Sequence, residues 1–369
     1  MSHPLARGDY QAAVPPFISD IQVSLPSETI ALADDASQEL ARFDAEVGTI
    51  AAPFASILLR SESASSSEVE NLISDAKQVA LAEIGRSKSG NAKMVVANVR
   101  AVTAAIGLSD RLDESSIITM HDALLRDVAP EFTGDWRQQQ VWIGGGSISP
   151  HSASFVPPHH SRVPELMADL VRFCTSTEIP VLIQAAIAHA QFETIHPFPD
   201  GNGRTGRALI QGMLRQGGLT RNVTVPVSAG LLSGTKAYFE ALNEFRTGNP
   251  TAIVTVVAEA SFAAVQNGRG LVRDIQSAAA RWDSTVMARS DSSVHKVKSY
   301  LLRQPVVDSK TIATELQISE VAAQNAIDRL VDAGVLSQIS AGRRNRLWQA
   351  PEILAALDAF GDRARRRRN

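Results

Sequence analysis

Near its middle the chain carries the run His196-Pro197-Phe198-Pro199-Asp200-Gly201-Asn202-Gly203-Arg204-Thr205-Gly206-Arg207. Two glycines bracket the asparagine directly before a segment with helical spacing. Glycines let backbone N–H groups turn towards a ligand, and a helix N-terminus adds the positive end of its dipole. The run therefore predicts a nest of amides that holds phosphate oxygens.

The charged side chains of the run point to the same chemistry. Arg204 and Arg207 lie one helical turn apart, so both face one side, and guanidinium forks suit phosphate oxygens. Asp200 is placed to hold Mg²⁺ against the phosphates. His196 ends the preceding helix because Pro197 cannot continue it. An imidazole with a pKa near neutrality is a suitable general base for a hydroxyl nucleophile.

Each part of the run also has a purely structural interpretation. A histidine before a proline is often only a helix end, a Gly-Asn-Gly sequence is usually a turn, and paired arginines usually form a solvated face. All of them occur here within twelve residues, in the order that phosphoryl chemistry needs. This combination favours the functional interpretation.

The run matches, at every defined position, the signature His-Pro-Phe-x-Asp/Glu-Gly-Asn-Gly-Arg-x-x-Arg, and the chain therefore resembles the Fic (filamentation-induced-by-cAMP) domain. The preceding segment, Ala185 to Ile195, resembles the core helix of that domain. The resemblance covers Phe17 to Trp282 and is weaker beyond. It implies a mainly α fold, a Fic-type helical bundle with a β-hairpin flap.

The resemblance implies a protein adenylyltransferase that uses ATP and Mg²⁺. His196 would deprotonate a Tyr, Thr or Ser hydroxyl of a target protein, which attacks the α-phosphate while pyrophosphate leaves. Phe198 would anchor the loop, and Asp200 would bind the metal. The nucleotide is assigned to Gly201, Asn202, Gly203, Arg204, Thr205, Gly206, Arg207 and Tyr238. For Tyr238, near the adenine in this scheme, a plain core aromatic is an equal alternative.

An upstream segment, Ser66-Ser67-Glu68-Val69-Glu70-Asn71, fits the inhibitory pattern of the family, Ser/Thr-x-x-x-Glu-Gly/Asn. By resemblance, Ser66, Glu70 and Asn71 belong to an inhibitory helix whose glutamate pairs with Arg207. A carboxylate there would remove the partner of the γ-phosphate and repel the phosphate itself. The alternative is an ordinary capped helix with a surface glutamate.

A glycine turn flanked by β-formers predicts a hairpin within Thr133 to Phe155. It resembles the Fic flap, whose edge registers the target by strand addition. The flap residues are Val141, Trp142, Ile143 and Gly144. A structural hairpin with a buried tryptophan is the alternative.

The resemblance implies an N-terminal region with the inhibitory helix over 1–110 and a catalytic core over 111–283. The sequence pattern adds a linker over 284–293 and a winged-helix-like domain with a basic tail over 294–369. Residues 1 to about 30 read as an extended wrapping segment. Ser61 to Ser67 reads as a serine-rich break, with Ser66 or Ser67 capping a helix from Glu68 to Ile84.

The C-terminal part has the pattern of a small winged helix-turn-helix. Helices are predicted over Ser309–Leu316 and Glu320–Ala333, with a strand pair around Gly342-Arg343-Arg344-Asn345-Arg346. The second helix carries too many acidic residues for DNA, which favours protein contacts. The tail from Arg363 to Arg368 is interpreted as a solvated end that nucleic acid or another acidic partner could touch.

The 369 residues have a formal net charge of -3 and one cysteine, Cys174. The near-neutral charge excludes strong general attraction to nucleic acid or membranes, and a single cysteine excludes an internal disulfide. We therefore expect a cytoplasmic protein, and the resemblance suggests a homodimer. Two other functions stay open: a DNA-binding regulator with a nucleotide-sensing Fic domain, and a Fic enzyme that removes AMP or uses another nucleotide.

Overall fold

The computed structural model describes residues 8–50, 53–146, 149–287, 292–339 and 346–366. Within them the fold is mainly helical, as predicted. The α-helices are α1 (Ser27–Gly48), α2 (Pro53–Val69), α3 (Ala76–Glu83), α4 (Gly90–Gly107), α5 (Glu114–Leu125), α6 (Val163–Thr175), α7 (Val181–Ile195), α8 (Asn202–Gln216), α9 (Val227–Ser233), α10 (Thr235–Arg246), α11 (Thr251–Thr285), α12 (Ser293–Arg303), α13 (Ser309–Leu316), α14 (Glu320–Asp332) and α15 (Pro351–Arg365). In the described residues no helix is long and apolar enough to span a bilayer.

A small antiparallel sheet accompanies the C-terminal helices. Its strands are β1 (Val306–Val307), β2 (Ser337–Gln338) and β3 (Trp348–Gln349), in the order β1-β3-β2. Helices α12 to α14 precede β2, which is the element order of the predicted winged helix-turn-helix. The predicted basic wing at 342–345 lies outside the described residues, and the winged-helix assignment stays a prediction.

The chain divides into two compact units assembled from separate segments. The first falls within Met1–Ala41, Arg100–Thr220 and Gly234–Glu259, and the second within Arg42–Val99, Arg221–Ser233 and Ala260–Asn369. The predicted run of 196–207 belongs entirely to the first unit. The predicted boundaries of the four parts of the chain stay a prediction.

Helix α7 is the centre of the first unit. Every residue from Leu182 to Ile195 is buried, because apolar side chains occur on all sides of this helix rather than along one stripe. Helices α6 and α8 pack against it. A helix buried all round holds its C-terminal end in a fixed place, and the predicted catalytic histidine follows that end.

The N-terminal segment is extended, as predicted, and follows the surface of the first unit. Asp169, fully buried on α6, accepts hydrogen bonds from the backbone N–H of Ile18 (2.6 Å) and of Ser19 (3.3 Å). The side chain of Gln191 donates to the carbonyl of Pro16 over 2.9 Å. These contacts tie the segment to α6 and α7.

The serine-rich stretch of the second unit is not a break, and this prediction was wrong. Ser61 to Ser67 lie inside α2, where most of them are buried. Two of their hydroxyls bond within the helix: Ser63 Oγ donates to the carbonyl of Leu59 over 2.9 Å, and Ser67 Oγ donates to the carbonyl of Ser63 over 2.8 Å. When a small serine side chain donates its hydroxyl hydrogen bond to a carbonyl of the preceding helical turn, that face of the helix can be buried. The break follows instead, and Asp75 caps α3 by accepting from the N–H of Gln78 over 2.7 Å.

The basic tail is not simply a solvated end. Arg363 and Arg365 belong to α15, whose apolar stripe is buried in the second unit. Arg365 forms two hydrogen bonds to the carboxylate of Glu68, of 2.5 and 3.0 Å. For Arg363 and Arg365 the interpretation as a solvated end was incomplete, because both belong to the end of an amphipathic helix that begins at Pro351. Positions 367 and 368 of the predicted tail lie outside the described residues.

Candidate active site

His196 ends α7 in a left-handed conformation, with φ 51° and ψ 62°. Its backbone N–H still donates to the carbonyl of Phe192 over 2.8 Å. Pro197 follows, so the helix cannot continue and the chain turns into the loop. The prediction that the histidine ends its helix is confirmed, and its side chain is placed by this turn.

A buried arginine that the sequence analysis did not single out fixes this turn. Arg137 Nε donates to the carbonyl of His196 over 2.8 Å, and its backbone N–H donates to the carbonyl of Pro197 over 2.9 Å. Its amino groups bind the carbonyls of Pro158 (2.6 Å) and Gln139 (2.9 Å). One guanidinium thus joins the turn at His196 to the segments before and after the predicted flap. A lone arginine after Trp136 carries no motif that would have revealed this.

The imidazole of His196 is neutral over a wide pH range. Burial lowers the pKa of His196 to about 3, and the positive charges of Arg137 and Arg246 act in the same direction. The expected pKa near neutrality was therefore wrong for His196 in this structure. The side chain keeps 18% of its surface exposed, and Nδ1 lies 3.9 Å from Glu193 Oε2. A neutral, partly exposed imidazole can accept a proton.

Asn202 closes the loop after the histidine. Its side-chain oxygen accepts from the N–H of Phe198 over 2.9 Å, and its amide nitrogen donates to the carbonyl of the same residue over 2.8 Å. This pair of bonds makes a closed ring of the segment 198–202. Asn202 was predicted as a nucleotide-binding residue, and the structure gives its side chain a loop-holding role.

The loop rests on a histidine that sequence analysis also missed. The ring of His121 on α5 stacks on Phe198 at 3.6 Å between centroids and 2° between planes. Its Nε2 lies 2.9 Å from the carbonyl of Asp200. Burial lowers the pKa of His121 to about 4, so the ring is neutral and Nε2–H can donate to this carbonyl. Phe198 is fully buried, as its predicted anchoring role requires.

Gly201 allows the chain to enter α8. Its φ of 77° is the left-handed region, and a Cβ there would lie 3.0 Å from Leu124 and 3.4 Å from Leu125. Helix α8 then begins at Asn202, so the N–H groups of its first turn point out of the helix end. A helix end of this kind, with Gly203 in its first turn, suits an anion, and the predicted contact with phosphate stays a prediction.

Both motif arginines are buried, with relative exposures of 1% for Arg204 and 2% for Arg207. The alternative of a solvated arginine face is therefore wrong. Arg204 Nη2 lies 3.9 Å from Asp200 Oδ2. Two buried guanidiniums beside a helix N-terminus concentrate positive charge within the first unit.

Asp200 suits a metal ion at this helix end. Its side chain is 57% exposed, and Oδ1 accepts from the N–H of Gly201 over 2.7 Å. No group of three or more metal-binding side chains occurs in the part of the chain that the structure describes. Mg²⁺ commonly takes one carboxylate together with phosphate oxygens and waters. A single accessible carboxylate beside a helix N-terminus therefore suits Mg²⁺ that also takes phosphate oxygens as ligands.

Two further motif residues face the core. A Cβ on Gly206 would lie 2.9 Å from Phe192, 3.0 Å from His189 and 3.1 Å from Glu193. This glycine therefore lets α8 approach α7 closely. Thr205 is fully buried beside it. Their predicted contact with nucleotide stays a prediction.

Tyr238 lies in the core, with 1% of its surface exposed. Its hydroxyl lies 2.7 Å from Nε2 of His189 on α7. Burial and the charge of Arg207 lower the pKa of His189 to about 3. The burial of Tyr238 favours the core interpretation over contact with adenine.

The predicted flap forms one antiparallel bridge in the described residues, between Ile143 and Phe155. The N–H of Ile143 donates to Phe155 over 2.9 Å. Val141 and Trp142 are half-buried and Gly144 is exposed, while residues 147–148 of the turn lie outside the description. The predicted hairpin is thus limited to a short pairing, and the target-docking role stays a prediction.

The inhibitory pattern occupies the C-terminal end of α2, not the start of a helix. Asn71 is left-handed, with φ 62°. Its N–H donates to the carbonyl of Glu68 over 2.8 Å, and the N–H of Leu72 donates to Ser67 over 3.0 Å. This is the Schellman ending of a helix. Ser66 is buried in the last turn, and Glu70 is half-buried where the helix ends.

Comparison with known proteins agrees with this architecture. Residues 111–214 match the model of the Fic/DOC family, and residues 30–107 match the Fic/DOC family N-terminal model. The protein adenylyltransferase fic-1 of Caenorhabditis elegans is 30% identical over 168 residues, which cover 44% of this chain and 30% of that protein. A probable protein adenylyltransferase of Aquifex aeolicus is 44% identical over 68 residues, 18% of this chain and 21% of that protein.

The match thus spans less than a third of the length of these curated relatives. A solved structure, a Fic family protein from Desulfovibrio desulfuricans, is 20% identical and has a TM-score of 0.57. The superposition covers 92% of this chain and 98% of that one, which supports the fold. With its motif at the junction of α7 and α8, the chain belongs to the Fic/DOC family.

Proposed function

We propose that this chain is a protein adenylyltransferase, which transfers AMP from ATP to a Tyr, Thr or Ser hydroxyl of a target protein. One observation carries the proposal: a neutral, partly exposed imidazole at the end of α7 precedes a helix N-terminus flanked by two buried arginines. The adenylyltransferase relatives support the same reaction class.

In the proposed reaction His196 takes the proton of the target hydroxyl as its oxygen attacks the α-phosphorus. The new O–P bond forms as the bond to the β-phosphate breaks, and pyrophosphate leaves. A neutral imidazole is ready for this task, and nearby phosphate charge would raise its pKa as the site fills. The turn held by Arg137 keeps the base in one position, which in-line displacement requires.

The anionic end of ATP would bind at the start of α8. The first-turn N–H groups and the guanidiniums of Arg204 and Arg207 supply fixed positive charge, which stabilises charge that develops on phosphate oxygens. Asp200 would hold Mg²⁺, which neutralises phosphate charge when bound. These groups are arranged before the substrate arrives, because Asn202 and His121 hold the loop.

The edge of the flap at Val141 to Gly144 is the proposed docking place of the target. An extended segment that adds to this edge would gain backbone hydrogen bonds and bring its hydroxyl to a defined register. Glu70 is the proposed inhibitor of the enzyme. Its place at a fixed helix end supports that role, because the left-handed Asn71 sets the direction in which the helix stops.

The test is incubation with labelled ATP and Mg²⁺, alone and with a cell lysate. We expect Glu70→Gly to switch on self-labelling or target labelling, and His196→Ala in that background to abolish it. Glu68→Gly, two residues earlier in the same turn, is the matched control and should leave labelling low. No labelling by Glu70→Gly, with the protein folded by circular dichroism, would refute the auto-inhibited enzyme.

A further inference from the structure

A cleft in the second unit has the character of an anion site. It has a volume of about 430 Å³ and lies between α11 and α15, near the end of α9. Its α11 wall presents Asn267, Gly270, Arg273 and Asp274, which share one face of the helix. Neither the motif chemistry nor the proposed reaction uses these residues.

The central group of the cleft is the guanidinium of Arg363. Its Nε donates to Oδ1 of Asn267 over 2.7 Å, and Nη1 donates to Oδ2 of Asp274 over 3.1 Å. Asn267 is itself held, because its amide donates to the carbonyl of Phe360 over 3.1 Å. Nη2 is buried and has no hydrogen-bond partner among the residues that the structure describes. The guanidinium is therefore fixed in place, while 34% of the Arg363 side chain stays exposed and lines the cleft.

Small residues keep the cleft open over this guanidinium. A Cβ on Gly270 would lie 3.4 Å from Arg363 Cζ and Nη2, so any larger side chain would cover the charged group. Ala229, Ala263 and Ala364 line the rest of the wall. The space is larger than a bare phosphate needs and falls in the range of small-molecule pockets.

The positive charge of the cleft favours a ligand that carries two negative charges. Arg273 and Arg366 are exposed at its rim, and Arg363 forms its floor. Asp274 is the acidic residue of the lining and is already paired with Arg363. Three guanidiniums against one carboxylate leave two positive charges for a ligand, and guanidiniums match phosphate oxygens in shape.

We propose that this cleft binds the phosphate monoester of a small phosphorylated metabolite. The phosphate sits against Arg363, with Arg273 and Arg366 closing over it, and the organic part fills the remaining space. A concave pocket of this size fits a single small ligand better than the extended backbone of a nucleic acid, which needs a long positive track.

The experiment is calorimetric titration of the full chain with ribose 5-phosphate, with ribose as the uncharged control. We expect the phosphate ester to bind and ribose not to bind. Arg363→Gln and Arg273→Gln should each weaken binding about tenfold or more, since each removes a charge-assisted hydrogen bond to the phosphate. Arg281→Gln is the matched control on the same helix, because Arg281 pairs with Glu352 and does not line the cleft.

A further variant keeps the proposal testable if Arg363→Gln does not fold. Gly270→Leu fills the cleft without removing a charge and should abolish binding while the unfolding midpoint in urea stays measurable and cooperative. Binding that survives all three cleft variants would place the ester elsewhere and overturn the proposal. So would absence of binding to the wild-type chain, or tight binding of a single-stranded oligonucleotide with a steep salt dependence in place of ribose 5-phosphate.

Discussion

The Nε of Arg137 lies 2.8 Å from the carbonyl oxygen of His196. The same guanidinium also contributes to the low pKa of the imidazole. Arg137→Gln should therefore loosen the catalytic turn and raise the pKa of His196. Because the base acts in its neutral form, the acidic fall of the labelling rate should move to higher pH. We expect a rate loss of about 10- to 100-fold, measured against pH in the Glu70→Gly background.

The matched variant Arg137→Lys distinguishes the effect of the guanidinium on the position of the turn from the effect of its charge on the pKa of His196. It keeps a positive charge near the imidazole but loses the planar fork that reaches several carbonyls. The rate should fall while the acidic limb of the profile stays close to that of the parent. A profile that does not move in Arg137→Gln would contradict the electrostatic part of this account.

Removal of the loop closure at Asn202 should destabilise the protein. Asn202→Ala leaves the buried N–H and carbonyl of Phe198 without their partners, which costs about 1–3 kcal/mol. Urea unfolding measures this difference. Asn91→Ala, an exposed asparagine with one hydrogen bond to Ile73, should lose no more than about 1 kcal/mol. Equal losses in the two variants would show that the ring of 198–202 does not stabilise the fold.

The close approach of α7 and α8 depends on Gly206. Gly206→Ala places a methyl group within 3.1 Å of three side chains, so we expect a loss of about 1–3 kcal/mol in the free energy of unfolding. Gly107→Ala at the end of α4 meets no atom within 4 Å and serves as the control. It should be neutral or stabilising by up to about 1 kcal/mol. Similar melting temperatures for both variants would argue against tight packing here.

The buried histidines predict a loss of stability in acid. The pKa of His121 is lowered to about 4, so between pH 6.5 and 4 the unfolded chain binds the proton that the folded chain excludes. Stability from this group is present above pH 6.5 and is lost as the pH falls. His121→Gln should flatten the decline by up to about 1.4 kcal/mol per pH unit, as measured by urea unfolding at pH 7, 6 and 5. Asn91→Ala, which removes no titratable group, is the control and should leave the slope unchanged.

Much of the fold followed from local signals. The helical period predicted α13 and α14 within a residue, and the ordered motif predicted the junction of α7 and α8. The family resemblance rested on the same twelve residues. Such features are readable because periodicity and turn chemistry act over short distances along the chain.

The supporting residues of the site were not predictable in this way. Arg137 and His121 act through backbone carbonyls that lie 59 and 79 positions away in sequence, and a carbonyl leaves no mark in the sequence. The serines of α2 misled for a related reason, because their burial depends on tertiary packing that no local pattern shows. The low pKa of His196 likewise depends on burial and on distant arginines.

The left-handed Asn71 accounts for the last letter of the inhibitory pattern. Glycine and asparagine enter that backbone region readily, whereas β-branched residues do not. The Gly/Asn position of the pattern therefore sets the direction of the backbone and supplies no reacting group. A homologue with valine at this position would keep its glutamate, but its chain would leave the helix in a different direction. A search for auto-inhibited relatives should therefore score this position by how readily the residue enters the left-handed region, not by its polarity.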